Sequence, residues 1–368
     1  MFICSDGYGD TSNTNKSLKQ FLRFSYLYNR QIGNWEAKNH SIMNTTQSTI
    51  AVCIVTYNQE QYIAQAIESV LMQKCEIPIY IFIGEDNSND KTRPICLEYK
   101  EKYFDKIELT LHNISQGLVK NTISVLNEIK RKGCDYIAML DGDDYWIDEH
   151  KLQKEYDFLK SNPDYGLVHT NISLLWNDRK INKNIRKNVP TGYIFDIINT
   201  FSIGNCSVLF CSKLLNYVNL DDFITNQFLS VDYAMYTIFS KYTKIGFLDD
   251  ITAVWRRGHT SVSHTNDMEK QIAYLENDAR MWRYLDSLFP KSFGYNEISV
   301  MRYKNYRSFN IAFNWGNYKI ANAYSKKEMD KRGLAFSLKK ISAKNRLLFY
   351  LFILLNKLKN HARQLFKN

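Results

Sequence analysis

Three carboxylates stand within four residues at the end of an apolar run. The stretch YIAMLDGDDYW places Asp141, Asp143 and Asp144 directly before the aromatic pair Tyr145 and Trp146. Crowding carboxylates at a buried strand end is unfavourable, because each charge loses solvation and repels the others. A hard divalent cation such as Mg²⁺ or Mn²⁺ offsets that repulsion and also accepts the oxygens of a substrate diphosphate. The alternative is a solvated acidic loop in the first turn of the next helix, where Asp is favoured.

Before this stretch, the sequence alternates between apolar runs and segments in which apolar residues recur with a helical period. Apolar runs typical of buried strands occupy residues 50–56, 77–84, 106–112 and 136–140, and segments of helical period separate them. Gly133 is placed to close the third helix, and Pro94 is tolerated in the first turn of the second. Strands that alternate with helices predict βαβ units and a parallel sheet.

Polar or acidic residues follow all four predicted strands. They are TYN at 56–58, EDN at 85–87, HN at 112–113 and DGDD at 141–144. Ligands of such sheets bind beyond the carboxyl ends of the strands. The sequence therefore predicts one binding site along this edge of the sheet.

Composition indicates a globular protein. Hydrophobic residues make up 45% of the 368 residues and aromatic residues 14%, which is enough for a sizeable core. Seven scattered cysteines without a CxxC pair are typical of reduced thiols in a cytosolic protein. The N-terminal residues lack the basic and apolar regions of a signal peptide, and no run of 18 apolar residues is present.

The positive charge belongs to the C-terminal part of the chain. Residues 301–368 contain 16 Lys and Arg against two acidic residues, whereas residues 1–300 contain 32 against 36. Within this tail, the apolar run 347–355 lies between basic flanks, a pattern that favours a helix lying on an anionic membrane. A solvated charged helix or a helix packed on the body is the alternative, and no nucleic-acid module is recognisable.

Three regions are predicted along the chain. Residues 1–48 are polar and lack sustained periodicity, so they form a poorly defined N-terminal extension. Residues 49–265 carry the alternating strands and helices, and residues 266–368 are mostly helical in period. The stretch GNCSVLFC, at 204–211, is predicted to be a further short strand.

Four sequence blocks occur together in a recognisable order. They are VCIVTYNQEQYIAQAIESVLMQ, IFIGEDNSNDKT, GLVKN and YIAMLDGDDYW. In this order and spacing, residues 50–264 resemble the inverting family 2 glycosyltransferases of the bacterial surface-glycan type. The resemblance implies a GT-A fold, a Rossmann-like nucleotide-binding sheet, with a mostly helical C-terminal extension. It also implies transfer of a sugar from a nucleotide diphosphate donor, with Mg²⁺ or Mn²⁺ as cofactor.

The resemblance assigns donor-binding roles. Tyr57 is expected beside the base, Asp86 accepts a hydrogen bond from uracil N3–H, and Glu85 stands where the family often has another Asp. The expected donor-binding residues are Thr56, Tyr57, Glu85, Asp86, Lys120, Asn121, Asp141 and Asp143. A surface lysine is the alternative for Lys120, and a core or rim position is expected for Tyr145 and Trp146.

The resemblance also assigns the metal, the diphosphate and the base. Asp143, Asp144 and His259 are the expected metal ligands, and Arg256 and Arg257 the expected diphosphate clamp. Asp232, about ninety residues beyond the acidic motif, is the expected base that deprotonates the acceptor hydroxyl. It is also predicted to be the N-cap of its helix. Val231 departs from the family pattern, which often has an acidic residue or glycine there. The resemblance also implies that the strand in GNCSVLF faces the acceptor near Asn205 and Ser207.

Other function classes stay open from the sequence. A sugar-1-phosphate nucleotidyltransferase would normally show a Gly-rich basic loop after the first strand, and TYNQEQY is not one. A catalytically inactive nucleotide-sugar-binding or membrane scaffold module is a further alternative. The expected partners are a UDP-sugar donor, a glycan or lipid-linked acceptor and an anionic membrane, without nucleic acid. The expected location is the cytoplasm, peripheral on the inner face of the membrane, in polysaccharide or lipopolysaccharide synthesis.

Overall fold

A computed structural model describes residues 48–176, 179–181, 189, 191–192, 203–257, 267–290, 296–327, 329 and 334–365. Ser48–Asn368 group into one compact unit. The predicted N-terminal extension lies almost wholly outside the described residues, and the domain boundaries within the unit stay a prediction.

The first four strands form the parallel part of one sheet. They are β1 (Ile50–Thr56), β2 (Ile79–Glu85), β3 (Ile107–Leu111) and β4 (Tyr136–Asp141), in the order β3-β2-β1-β4. Helices α1 (Ile63–Leu71), α2 (Thr92–Lys102) and α3 (Leu118–Lys132) connect them. All seven residues of β1 are buried, as expected of a central strand covered on both faces.

The sheet continues with antiparallel and mixed pairs. The order after β4 is β8 (Val208–Cys211), β6 (Tyr165–Trp176), β9 (Lys244–Arg257) and β5 (Tyr145–Trp146), and β7 (Arg179–Ile181) pairs with β6. Strand β8 runs antiparallel to both β4 and β6, whereas β6 and β9 are parallel. Helix α4 (Lys151–Ser161) precedes β6, and α5 (Leu220–Thr225) and α6 (Asp232–Tyr242) precede β9.

Apolar side chains cover the sheet on both faces. Along β1, Ala51, Cys53 and Val55 join the core formed with α3 and α6, whereas the intervening residues join the core formed with α1, α2 and α4. This alternation follows from the two-residue period of a strand. Helix α3 ends at Gly133, which has a left-handed conformation (φ 75°) that glycine adopts without steric cost.

The C-terminal region is helical. It comprises α7 (Met268–Leu288), α8 (Glu297–Asn314), α9 (Tyr318–Ser325), α10 (Leu334–Ser342) and α11 (Arg346–Leu365). The side chains of Asp267, Asn296 and Asn317 accept hydrogen bonds at the starts of α7, α8 and α9, as N-caps do. In the described part of the chain, no helix is long and apolar enough to cross a membrane.

The predicted fold, a GT-A Rossmann-like sheet with a mostly helical C-terminal extension, is confirmed. One strand prediction is wrong in part: only Val208–Cys211 is a strand, and Asn205–Ser207 form a turn of 3₁₀-helix. None of the six cysteines that the structure describes is in a disulfide bond, and four of them are buried.

Candidate active site

The carboxyl ends of the parallel strands lie side by side. In the strand register, Thr56 of β1 is opposite Glu85 of β2, Val55 is opposite Asp141 of β4, and Glu85 is opposite Leu111 of β3. The polar residues that follow these strands therefore share one edge, as the sequence predicts. Asp86 and the acidic motif 141–144 stand on opposite sides of the end of β1.

Two asparagines shape the turns at this edge. Asn58 and Asn87 have left-handed φ values of 52° and 58°, a conformation that asparagine tolerates better than most residues. The side-chain oxygen of Asn58 accepts a hydrogen bond from the Asn89 N–H (2.8 Å), which ties the two turns together. Tyr57, just before Asn58, is 44% exposed, so its ring is accessible beside the strand ends.

The Asp86 carboxylate is buried and accepts three hydrogen bonds. Its Oδ1 accepts from the Gln116 N–H (2.6 Å), and its Oδ2 accepts from the Ser115 hydroxyl (2.8 Å) and the Gly117 N–H (2.9 Å). These bonds fix the carboxylate against the loop before α3. A carboxylate oxygen accepts up to about two hydrogen bonds, so Oδ1 has capacity for one further donor.

Glu85 is completely buried and bonds to the protein. One carboxylate oxygen forms an ion pair with Arg93, and the other accepts a hydrogen bond from the Ser88 N–H (2.7 Å). Arg93 also donates to the carbonyl of His112 at the end of β3. Glu85 therefore joins β2, α2 and β3, and the donor contact expected of it stays a prediction.

Asn121 is packed beneath the end of β2. Its amide nitrogen donates to the Gly84 carbonyl (2.9 Å), and its side-chain oxygen lies 3.2 Å from Nε2 of His112. A Cβ atom on Gly84 would lie 2.3 Å from that oxygen, so only glycine fits there. The neighbouring Lys120 is exposed.

The acidic motif is strained electrostatically. Burial and then repulsion from Asp143 and Asp232 raise the pKa of Asp141 to about 7, although the Asn205 amide donates to it (2.9 Å). Burial and repulsion from Asp143 and Asp141 hold the pKa of Asp144 well above its usual range. The charges of these carboxylates repel one another, and a bound cation would offset that repulsion.

Arg256 braces the acidic motif. Its backbone N–H donates to Oδ1 of Asp144 (2.8 Å), and its guanidinium donates to the Asp143 carbonyl. The guanidinium carbon lies 4.9 Å from the ring centre of Tyr62 and 4.5 Å from that of Tyr145, so the cation is stacked between two aromatic faces. A diphosphate clamp at Arg256 would thus act from a position already fixed against the motif.

Arg257 is the last residue of β9. The guanidinium of Arg257 lies 3.8 Å from the ring centre of Trp255, and its buried Nε has no hydrogen-bond acceptor among the residues that the structure describes. His259 lies outside the described residues, so the metal contact expected of it stays a prediction.

Asp232 opens α6 and faces the acidic motif. The predicted N-cap is wrong: Val231 is the N-cap, without a side-chain bond, and Asp232 is the first helical residue. Asp232 is close enough to Asp141 to raise the pKa of that carboxyl. One turn further along α6, the Tyr236 hydroxyl donates to Asn205 (2.8 Å), whose amide donates to Asp141, so these hydrogen bonds link α6 to Asp141.

Helix α7 also contributes side chains near Asp232. Burial raises the pKa of Asp278 to about 6, an effect that Arg307 opposes and the nearby Asp232 increases. Burial and then the Asp232 charge raise the pKa of Tyr274. No local sequence motif marks these helical residues, so they could not be predicted as part of the site.

The expected acceptor-facing and aromatic residues take different places. Ser207 is buried and its hydroxyl donates to the Gly204 carbonyl (2.8 Å), so of the pair only Asn205 borders the acidic motif. Trp146 is a core residue whose indole N–H donates to the Cys206 carbonyl (2.8 Å). Tyr145 is a rim residue stacked on Arg256.

The acidic motif offers carboxylate oxygens to a divalent cation. In the stretches that the structure covers, no group of three or more His, Cys, Asp or Glu side chains is arranged to hold a metal ion. Mg²⁺ commonly takes only one or two carboxylates and obtains its other oxygens from substrate phosphates and water. The crowded carboxylates of Asp143 and Asp144 fit that kind of site.

Comparisons with known proteins agree with the predicted family. Residues 51–217, slightly less than half of the chain, match the family model for Glycosyl transferase family 2. A dTDP-rhamnosyl transferase, RfbG of Shigella flexneri, is 32% identical over 111 residues, which cover 30% of this chain and 37% of that protein. An uncharacterized protein of Mycobacterium tuberculosis is 30% identical over 129 residues, covering 35% of this chain and 36% of that protein. The chain thus matches little more than a third of the length of these relatives.

One solved structure is similar to this chain over most of the length of both proteins. The mannosyltransferase PcManGT from Pyrobaculum calidifontis, in complex with GDP-Man and Mn²⁺, is 12% identical and has a TM-score of 0.49. The match covers 93% of this chain and 99% of that one. This TM-score is below 0.5, so the likeness adds nothing to the family match.

Proposed function

We propose that the chain is an inverting, metal-dependent glycosyltransferase. It would move a sugar from a nucleotide diphosphate donor, with a uridine donor favoured, to a hydroxyl of a glycan or lipid-linked acceptor. One observation carries the proposal: Asp86, the acidic motif and Asp232 meet at one sheet edge, with Asp232 close enough to Asp141 to raise its pKa. The family match over residues 51–217 supports the same enzyme class.

Donor binding is assigned to the two sides of β1. The remaining acceptor capacity of Asp86 Oδ1 suits the N3–H of uracil, with the accessible Tyr57 ring beside the base. Thymine presents the same N3–H, and one relative is named a dTDP-rhamnosyl transferase, so a thymidine donor is the second choice. Asp141 and Asp143 would contact the ribose and the diphosphate.

The chemical step is a single displacement. Asp232 accepts the proton of the acceptor hydroxyl as that oxygen bonds to the anomeric carbon, while the bond from the anomeric carbon to the diphosphate oxygen breaks on the opposite face. A cation held by Asp143 and Asp144 would stabilise the charge of the departing nucleoside diphosphate. The protein otherwise contributes orientation, because its network fixes Asp141 relative to α6.

The proposed cellular role is synthesis of cell-surface polysaccharide or lipopolysaccharide at the cytoplasmic face of the membrane. Its support is the resemblance to bacterial surface-glycan enzymes and the basic C-terminal helix. The alternative is a catalytically inactive nucleotide-sugar-binding or scaffold module.

A donor-turnover assay separates the enzyme from the inactive module. The full chain is incubated with Mn²⁺ and a panel of uridine and thymidine diphosphate sugars, and release of the nucleoside diphosphate is followed with and without glycan acceptors. We expect release with one donor class, reduced about 10²- to 10⁴-fold in Asp232→Asn, whose donor affinity stays unchanged. Donor binding without release in the wild type under every condition would instead identify a binding module.

A further inference from the structure

The last two helices expose an apolar surface. Helices α10 and α11 present large apolar side chains to solvent, and Leu347 is 78% exposed. On α11, residues 347, 351, 354 and 355 lie on one face because their spacing follows the helical period. The exposed leucines of this face, Leu347, Leu351, Leu354 and Leu355, form a surface that we name the apolar platform; Leu338 and Ile341 on α10 are exposed as well.

The opposite face of α11 is already packed. Phe349 is completely buried, with its ring centre 4.9 Å from that of Phe313 on α8 and 5.5 Å from that of Tyr318 on α9. Phe352 also contacts Phe313, at 5.7 Å between ring centres. Helix α11 is therefore apolar on two faces. One face packs against α8 and α9, and the platform on the other face does not take part in that packing. Contiguous exposed apolar surface of this kind marks an interaction site.

The charge around the platform has one sign. Residues 334–368 contain eight Lys and Arg and no Asp or Glu, although residues 1–300 have an acidic excess. An open cleft beside the platform is lined by Lys319 and Arg346, together with Asn317, Tyr318 and Tyr350. Two cationic side chains with amide and hydroxyl groups fit a phosphate group.

We propose that the apolar platform and its cleft bind an anionic lipid surface. The leucines would enter the boundary between headgroups and acyl chains, and Lys319 and Arg346 would contact lipid phosphates. A second copy of this chain fits less well, because a symmetric contact would bring two strongly basic surfaces together. The inference concerns where the protein binds and does not depend on the proposed reaction.

Vesicle sedimentation with the full chain tests the proposal. Vesicles of phosphatidylcholine alone are compared with vesicles that contain phosphatidylglycerol, at low and high salt. Leu351→Glu with Leu354→Glu removes the centre of the platform at exposed positions, where folding is little affected. The matched control is Leu97→Glu on α2, because Leu97 is 46% exposed and Leu351 is 49% exposed. Lys319→Gln with Arg346→Gln tests the cleft.

The proposal predicts binding to the anionic vesicles that falls with salt. The platform variant should lose at least tenfold in partitioning, and the control should bind as the wild type does. The cleft variant should lose about 25-fold if each cation contributes about fivefold. Lack of binding to any vesicle at low salt would overturn it. So would a platform variant that binds vesicles normally, or one that changes only the dimerisation of the protein, which would assign the surface to a second copy.

Discussion

Asn277 is predicted to position the proposed base from outside the segment that matches the family. It lies on α7, is completely buried, and its Oδ1 accepts a hydrogen bond from the Leu229 N–H (2.8 Å). Arg280, also on α7, donates to the carbonyl of Gln227 (3.0 Å), which has a left-handed φ of 53°. Both contacts hold the loop 226–231 that leads into Asp232.

The Asn277→Ala substitution leaves the Leu229 N–H without its acceptor. That loss costs about 1–2 kcal/mol of unfolding free energy, since the amide is only partly buried. The larger effect is expected on turnover: a displacement of Asp232 by about 1 Å would reduce it about 100-fold. Affinity for the nucleotide should be unchanged, because the predicted donor site lies at the other strand ends.

The matched control is Asn296→Ala. Asn296 caps α8 by accepting a hydrogen bond from the Ser299 N–H (2.9 Å), and its loss also costs about 1 kcal/mol. Stability is measured by urea unfolding, donor affinity by calorimetry and turnover by nucleotide release. If both variants lose turnover equally, or Asn277→Ala loses none, the positioning role is refuted.

Three further predictions concern the sheet edge and the core. Gly84→Ala would place its Cβ 2.3 Å from Asn121 Oδ1, so the free energy of unfolding should fall by about 1–3 kcal/mol, measured by urea unfolding. An unchanged urea midpoint would contradict the packing described. Asp86→Asn should abolish uridine nucleotide binding and cost about 2 kcal/mol, because the amide accepts fewer bonds from the loop before α3; retained binding in calorimetry would reassign the base contact. Burial raises the pKa of Glu155 to about 7 despite its contact with Lys151 (2.6 Å), from an ordinary value of 4.5, so the native state binds more protons between these values. The contribution of Glu155 to the free energy of unfolding, about 3 kcal/mol, should be present below pH 4.5 and lost as the pH rises through 7. It is measured as the difference in unfolding free energy between the wild type and Glu155→Gln, and a difference that favours the wild type more as the pH rises would contradict the prediction.

Local patterns predicted much of the fold. The order of the first four strands and three helices, the Gly133 terminus and the shared polar edge all follow from periodicity and turn residues. These features depend on neighbouring residues, so a single sequence is sufficient to find them. The helical period after residue 266 was also correct.

Contacts between residues that are distant in the chain could not be predicted from the sequence. The pairing of Glu85 with Arg93, and the stacking of Arg256 between Tyr62 and Tyr145, join residues that no motif relates. These contacts fix site residues that the resemblance had assigned directly to the donor. The N-cap prediction at Asp232 rested on the preference of aspartate for the N-cap position, and it was wrong. Helix α6 begins at Asp232 itself, after a loop that α7 holds through Asn277.

Calorimetric titration of UDP into the purified full chain, with and without Mn²⁺, tests the central claim most directly. We predict binding that requires the metal ion and is lost in Asp144→Asn, because the crowded carboxylates of the acidic motif need a cation to accept a diphosphate. Equal binding without metal would contradict the metal-dependent site, and the absence of UDP binding under every condition would contradict the uridine donor.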